Sequence, residues 1–364
     1  MPPPVHGAAV MGQAAAQSAV LRELFDVTVI PIRINSGLAS LQRFSLAKVW
    51  ASLRLWLAVV RALVVRRPSA VYFTVNIAGF AFWRDLAIVL TCRLAGVRRV
   101  FHLHMKGLRG NYQRSRAMRA AYRLMFAGAD VVHLSQRLYR DVEPVVPRDR
   151  FHVVHNGIDV EVDRAGRAPE QADVPEVLFL SNLYASKGPL DLLEASRRVA
   201  ALGIAHKLVF AGAGPEADVV RRIKASGHAQ WVGAVDGEAK RALLRSADVF
   251  VFPSYYHFEC QPLAVIEAMA WGKAVIASDE AAIPDLIADG VDGILVRARA
   301  IDELTGALAM LLTHPGLRAK LGVAARARYE EEFTRAKFER RLADTLWRIA
   351  VPQPEQAFAW RQAG

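Results

Sequence analysis

VFVFPSYYHFECQPLAVIEAMAWGKAVIASDEAAIPDLIADGVDGILV, residues Val249 to Val296, is the stretch that decides the fold. Its opening run, Val249 to Phe252, is short, apolar and built from Val and Phe, which predicts a strand buried on both faces. A loop carrying Glu259 follows, and Pro262 then opens a helix, because proline is tolerated at the first helical position. Strand, loop and helix in that order make half of a βαβ unit. The same alternation runs through the chain and predicts α/β domains whose parallel sheets are covered by helices on both faces. Glu267 falls one to two turns into the helix. Around Cys260, Gln261, Pro262 and Leu263 the backbone N–H groups of the helix N-terminus lack partners within the helix, and such a terminus attracts phosphate. Carboxylates accept hydrogen bonds from sugar hydroxyls, so the pair Glu259 and Glu267 beside that terminus suits a sugar joined to a phosphate. As a bare pair, two glutamates at this spacing carry little information.

Their context is specific. Pro253, Ser254, Glu259, Pro262, Glu267, Ala268, Met269 and Gly272 resemble the E-x7-E signature of retaining nucleotide-sugar glycosyltransferases of the group-1 type (family 4), and Ile283-Pro284-Asp285 and Asp289-Gly290 to Gly293 continue the pattern. Upstream, VLFLSNLYASKGPLDLLEA (Val177 to Ala195) resembles the family's strand, Lys-Gly loop and helix. The resemblance implies that Lys187 meets the donor diphosphate as a point charge. Where the family has Gly-Arg, this chain has Ser181-Asn182, so Asn182 offers a neutral amide in place of a guanidinium fork. Gln230 to Gly233 resembles the segment whose backbone, Gly233 included, lies against the nucleobase. Gly7 matches a Gly-bearing loop that approaches donor and acceptor. His104, at the end of the predicted strand in VFHLHMKG, matches a histidine near the donor sugar, and strand alternation puts His102 on the same face. The same resemblance implies a GT-B fold, two Rossmann-like doubly wound domains facing a cleft. It further implies that Glu259 holds the transferred sugar, Glu267 the ribose, and that no metal and no cofactor beyond the donor is required.

Ala211-Gly212-Ala213-Gly214-Pro215 fits a dinucleotide-binding fingerprint, yet no acidic strand end follows about twenty residues later, and a tight turn into a helix explains the glycines. The polar stretch 160–175 is the predicted linker between a domain at 1–159 and a second at 176–334, with a helix at 335–350 crossing back to the first. The chain opens at Met1-Pro2-Pro3-Pro4-Val5-His6-Gly7 and continues into a small-residue helix, Ala8 to Leu24. The family's first strand would precede that loop, so the expectation is an upstream strand, or a sheet that closes with Val27 to Ile32 moved inward.

Two cysteines, Cys92 and Cys260, make no disulfide framework and fit a reducing, cytoplasmic setting. No His, Cys, Asp or Glu spacing reads as a zinc site. Residues 1–150 hold 22 Lys and Arg against 7 Asp and Glu, a net +15, while 151–364 hold 25 against 28, a net −3. No nucleic-acid motif accompanies this basic half, and an anionic membrane face accounts for it better. Leu46, Val49, Leu53, Val60 and Val64 recur on one side of a helix whose other side carries Arg43, Arg54 and Arg61. Such a helix can lie on a bilayer or pack on the sheet with a solvated basic rim, and packing is the expectation for the apolar side; Lys48, Arg54 and Arg61 exclude a transmembrane span. The combined expectation is sugar transfer from a nucleotide-diphosphate sugar to a glycan or lipid-linked acceptor at the inner membrane face, in polysaccharide or glycolipid synthesis. The alternatives are a non-catalytic sugar-nucleotide-binding scaffold, or a GT-B phosphorylase or epimerase.

Overall fold

The computed structural model describes residues 7–32, 46–162 and 174–351. They form two compact units, one of residues 1–157 and 335–364, the other of residues 158–334. Each is built on one parallel sheet. In the first unit, β1 (Ala70–Thr74), β2 (Arg98–His102), β3 (Asp130–His133) and β4 (Phe151–Val153) pair in chain order. In the second, β5 (Glu176–Leu180), β6 (Lys207–Ala211), β7 (Ala229–Trp231), β8 (Val249–Phe252), β9 (Ala274–Ser278) and β10 (Ile294–Val296) lie in the order β10-β9-β8-β5-β6-β7. The reversal of winding between β5 and β8 makes this a doubly wound sheet, whose ligands bind outside the carboxyl ends of the strands. Both strands beside the reversal are buried over nearly their whole length, and their Phe179 and Phe252 rings stack at 6.4 Å.

The first unit begins with α1 (Gly7–Gln17) and α2 (Ala19–Leu24). The expected single helix from Ala8 to Leu24 is broken at Ser18, whose extended backbone and side chain cap α2 through the Leu21 N–H. The Ser18 hydroxyl also donates to Glu339 Oε2 at 2.9 Å, and Arg335 grips the other oxygen at 2.6 Å. Glu339 lies on the C-terminal helix Arg335–Ala350, which is therefore part of the first unit's core. Val27 to Ile32 form no strand; Ile30 and Ile32 pack instead against the cluster of Leu55, Val59, Leu63, Ile88 and Cys92.

Helix α3 (Leu46–Arg66) departs most from expectation. It packs against α4 (Gly79–Leu94) and β1 through Leu55, Val59 and Leu63, which meet Ile88, Cys92 and Val71. The stripe expected to pack faces solvent: Val49, Leu53 and Val64 are all exposed. A helix this rich in Leu and Val has apolar residues to spare for a second stripe, and periodicity cannot say which one the core takes. No described helix is long and apolar enough to cross a membrane.

Three histidines gather at the carboxyl ends of β2 and β3. His102 and His133 are fully buried, and the His102 and His104 rings lie 4.1 Å apart. Tyr72 Oη is 2.6 Å from His102 Nδ1, His133 Nδ1 accepts the Leu134 N–H, and Phe338 of the C-terminal helix stacks on His102. Burial, reinforced by the neighbouring imidazoles, pushes the His102 pKa well down and that of His133 down to about 3. Both rings are therefore neutral when folded but protonate near pH 6.5 when unfolded. Their contribution is complete above that pH and is lost as pH falls from it toward the folded values, at up to about 1.4 kcal/mol per pH unit for each ring. Thermal unfolding followed from pH 7.5 to 4.5 should show the melting temperature falling through this window, and a His133→Gln chain should show a shallower slope.

Candidate active site

The second unit's strand-end loops are stitched to one another. Ser181 N donates to Ala211 O at 3.0 Å, Leu183 N to Ala213 O at 2.8 Å, Gly212 N to Gly233 O at 2.7 Å, and Trp231 Nε1 to Gly212 O at 3.0 Å. Gly212 has φ +138°, and a Cβ there would stand 1.9 Å from Ser181 O, so only glycine lets these loops close. This is what the Gly-x-Gly turn is for. Gly188 plays the same part between the lysine loop and Pro253, whose carbonyl would lie 2.3 Å from an added Cβ. Tyr255 N completes the join by donating to Ser186 O at 2.9 Å.

That join brings Lys187 to Glu259. Their side chains form an ion pair, both largely out of solvent, and the same Glu259 oxygen accepts from the buried Ser254 hydroxyl at 3.1 Å. The ammonium also stands over two rings, 4.8 Å from Tyr256 and 5.4 Å from Phe252. Tyr184 stacks on Tyr256, with ring centroids 5.9 Å apart and planes at 10°. Lys187 is thus held by one carboxylate and two aromatic faces.

Glu259, Cys260 and Gln261 are buried. The following helix spans Leu263–Ala270, so Pro262 is its N-cap and Leu263 its first residue, one position later than expected. Proline's extended φ/ψ at the cap explains the shift. Glu267 lies in the second turn, and its Oε1 receives Lys240 Nζ at 2.7 Å from the helix Gly237–Ser246. Each glutamate of the pair is therefore matched to a lysine from another part of the sheet. Asn182 is half-buried in the lysine loop, and Gly233 has φ +82° with open space where a side chain would be. His104 and Gly7 belong to the first unit, where Gly7 is the exposed opening residue of α1 rather than a loop residue.

Lysine 240, the Tyr184–Tyr256 stack and the role of Ser254 were not legible beforehand. Lys240 lies 27 residues from Glu267, in a helix that also carries the half-buried Arg241 and Arg245, so nothing local singles it out. Tyr255-Tyr256-His257-Phe258 is an aromatic run beside Glu259 and was the available signal. Among the described residues, no three His, Cys, Asp or Glu side chains form a group able to hold a metal ion.

Known proteins resemble this chain in sequence and in fold. Residues 164–328 match the family model for group 1 glycosyl transferases. The alpha-maltose-1-phosphate synthase of Mycolicibacterium smegmatis is 33% identical over 219 residues, covering 52% of this chain and 55% of that protein. The phosphatidyl-myo-inositol mannosyltransferase of the same species is 34% identical over 180 residues, covering 48% and 45%. The chain thus spans about half the length of these curated relatives. Among solved structures, Anabaena Alr3699/HepE in complex with UDP superposes with a TM-score of 0.68 at 19% identity, covering 80% of this chain and 82% of that one. Sucrose-phosphate synthase from Thermosynechococcus elongatus gives 0.69 at 20% identity, covering 87% and 82%. The match to group 1 glycosyl transferases thus falls within the second unit, and the two parallel-sheet units have the GT-B fold.

A buried ion pair predicts a specific pattern of stabilities. Lys187→Met strands the Glu259 carboxylate and should cost about 3 kcal/mol or more, whereas Lys187→Met/Glu259→Met should recover most of that loss. Denaturant melts of the two single variants and the double variant measure the coupling, and additive losses would show the pair to be unimportant.

Proposed function

We propose that this chain is a retaining, metal-independent glycosyltransferase. It moves a hexose from a nucleoside-diphosphate sugar to a glycan or lipid-linked acceptor at the cytoplasmic face of the membrane, in cell-surface polysaccharide or glycolipid synthesis. The observation that carries this reading is the Lys187–Glu259 pair, set by the loop at the carboxyl end of β5 and the loop after β8, beside the N-terminus of the helix Leu263–Ala270. A cation for diphosphate, a carboxylate for sugar hydroxyls and a helix terminus for a phosphate stand together there. The relatives' names, and the UDP and UDP-glucose named with Anabaena HepE, support a nucleotide-sugar donor.

In this mechanism the pair exchanges partners when the donor arrives. Lys187 turns its charge to the diphosphate, and Glu259 takes sugar hydroxyls in place of the ammonium. As the acceptor hydroxyl attacks the face that the leaving group departs from, the bond from the sugar's anomeric carbon to the diphosphate breaks, charge builds on the diphosphate, and its departing oxygen takes the acceptor's proton. Lys187, already fixed by Tyr256 and Phe252, stabilises it without reorganising. Glu267 accepts from the ribose, and Lys240 keeps its carboxylate in place. Asn182 adds a neutral donor, so Lys187 supplies most of the side-chain charge. The basic first half of the chain supports the membrane part of the reading.

Separate roles for the glutamates predict separate defects. Glu267→Ala should weaken free nucleoside-diphosphate binding by roughly 10- to 100-fold, the value of one hydrogen bond to a charged group. Glu259→Gln should bind nucleoside diphosphate at least as tightly as the unaltered chain, because Lys187 is released to the phosphates, yet transfer far more slowly. Calorimetric titration with UDP and GDP checks the first half. Acceptor-dependent release of nucleoside diphosphate checks the second, and release without any acceptor, or none at all, would sink the transferase reading in favour of a phosphorylase or a scaffold.

A further inference from the structure

Helix α3 carries two apolar stripes where a helix on a sheet needs one. Leu55, Val59 and Leu63 make the packed stripe, and the first and last of these are only 8% exposed. Trp50, Leu53, Leu57 and Val64 make the other, spaced i, i+3, i+7 and i+14, and they are exposed by 64, 42, 51 and 68%. Val49 and Val65 widen it at its ends. The stripe runs for about 21 Å along the helix axis at the usual rise per residue. Exposed apolar side chains are ordinary when scattered; a continuous stripe of this length marks a binding face.

Charge says what covers it. Arg54 and Arg61 are exposed and follow Trp50 and Leu57 by four residues each, which places both guanidinium groups on one flank of the stripe. The helix contains no Asp or Glu, and none occurs anywhere from Val27 to Arg84, a span of 58 residues holding eight Lys and Arg. A tryptophan, long aliphatic side chains and a rim of arginines without a single acid match an anionic bilayer surface. There the apolar side chains leave water while the arginines meet lipid phosphates.

We propose that α3 is a membrane-docking helix, lying flat on an anionic bilayer with Trp50, Leu53, Leu57 and Val64 inserted at the boundary between headgroups and acyl chains and with Arg54 and Arg61 on lipid phosphates. The proposal rests on the membrane-face part of the function above and names the element and the lipid chemistry responsible. It is independent of the transfer chemistry, to which α3 contributes no residue.

Co-sedimentation of the full chain with vesicles tests it. Vesicles of phosphatidylcholine containing about one quarter phosphatidylglycerol should bind the chain, pure phosphatidylcholine should not, and added salt should weaken binding. Arg54→Glu/Arg61→Glu and Leu53→Ser/Leu57→Ser should each lose roughly tenfold or more in vesicle affinity with unchanged melting temperature, since all four side chains are exposed. Brominated acyl chains should quench fluorescence that a Trp50→Phe chain lacks. Absence of vesicle binding, equal binding by the variants, or lipid-free self-association abolished by the Leu53/Leu57 change would each overturn the proposal, the last by showing that a second copy covers the stripe. Acceptor-dependent nucleoside-diphosphate release with a water-soluble acceptor should be unaffected in every variant. Transfer without vesicle binding would overturn the docking helix alone, and vesicle binding without transfer would overturn the activity alone.

Discussion

The buried attraction between Lys187 and Glu259 is the constraint on which the second unit's site depends. Two charges withdrawn from water are costly unless matched, so the loop after β5 and the loop after β8 must meet at one geometry. Everything around the pair serves that meeting. Gly188 removes a side chain so that Pro253 can approach, Tyr255 donates to Ser186, Ser254 bonds the shared carboxylate oxygen, and Tyr256 with Phe252 flanks the ammonium. A pair held this way is fixed before any ligand arrives. Lys240 and Glu267 repeat the device one helix away, with more solvent around them.

The two units solve the problem of polar groups at strand ends differently. In the second unit the carboxyl ends of the strands are charged and paired. In the first, β2 and β3 end in imidazoles kept neutral by burial, with Tyr72 and Phe338 packed on His102. A neutral ring costs far less to bury than an ion and can still offer one donor and one acceptor. The charge of the first unit is displaced instead to its surface, above all to the acid-free span around α3.

Much of this was legible in the residues. Short Val- and Phe-rich runs such as Val249–Phe252 announce doubly buried strands, and the family resemblance singled out Lys187, Glu259 and Glu267, each of which the structure places in an ion pair. What was not legible depends on information that no local pattern carries. Lys240 becomes a partner of Glu267 only when two helices are laid side by side. The stripe on α3 that packs could not be distinguished from the one that does not, because both recur with helical period. The start of the helix after Gln261 slipped by one residue, since proline suits the cap as well as the first turn. The break at Ser18 depends on Glu339, more than three hundred residues away.

That last contact bears on the order in which the molecule can be made. The second unit is a single uninterrupted segment, whereas the first needs residues from both ends of the chain. During synthesis the second unit has its full complement of strands and helices before Arg335 is added. The first unit must meanwhile wait with Ser18 unbonded and the Phe338 side of its histidines uncovered. Domains generally fold as units as the chain emerges, but here the N-terminal unit is completed last. The faces of α1 and α2 that the C-terminal helix covers stay open for the time it takes to build everything between.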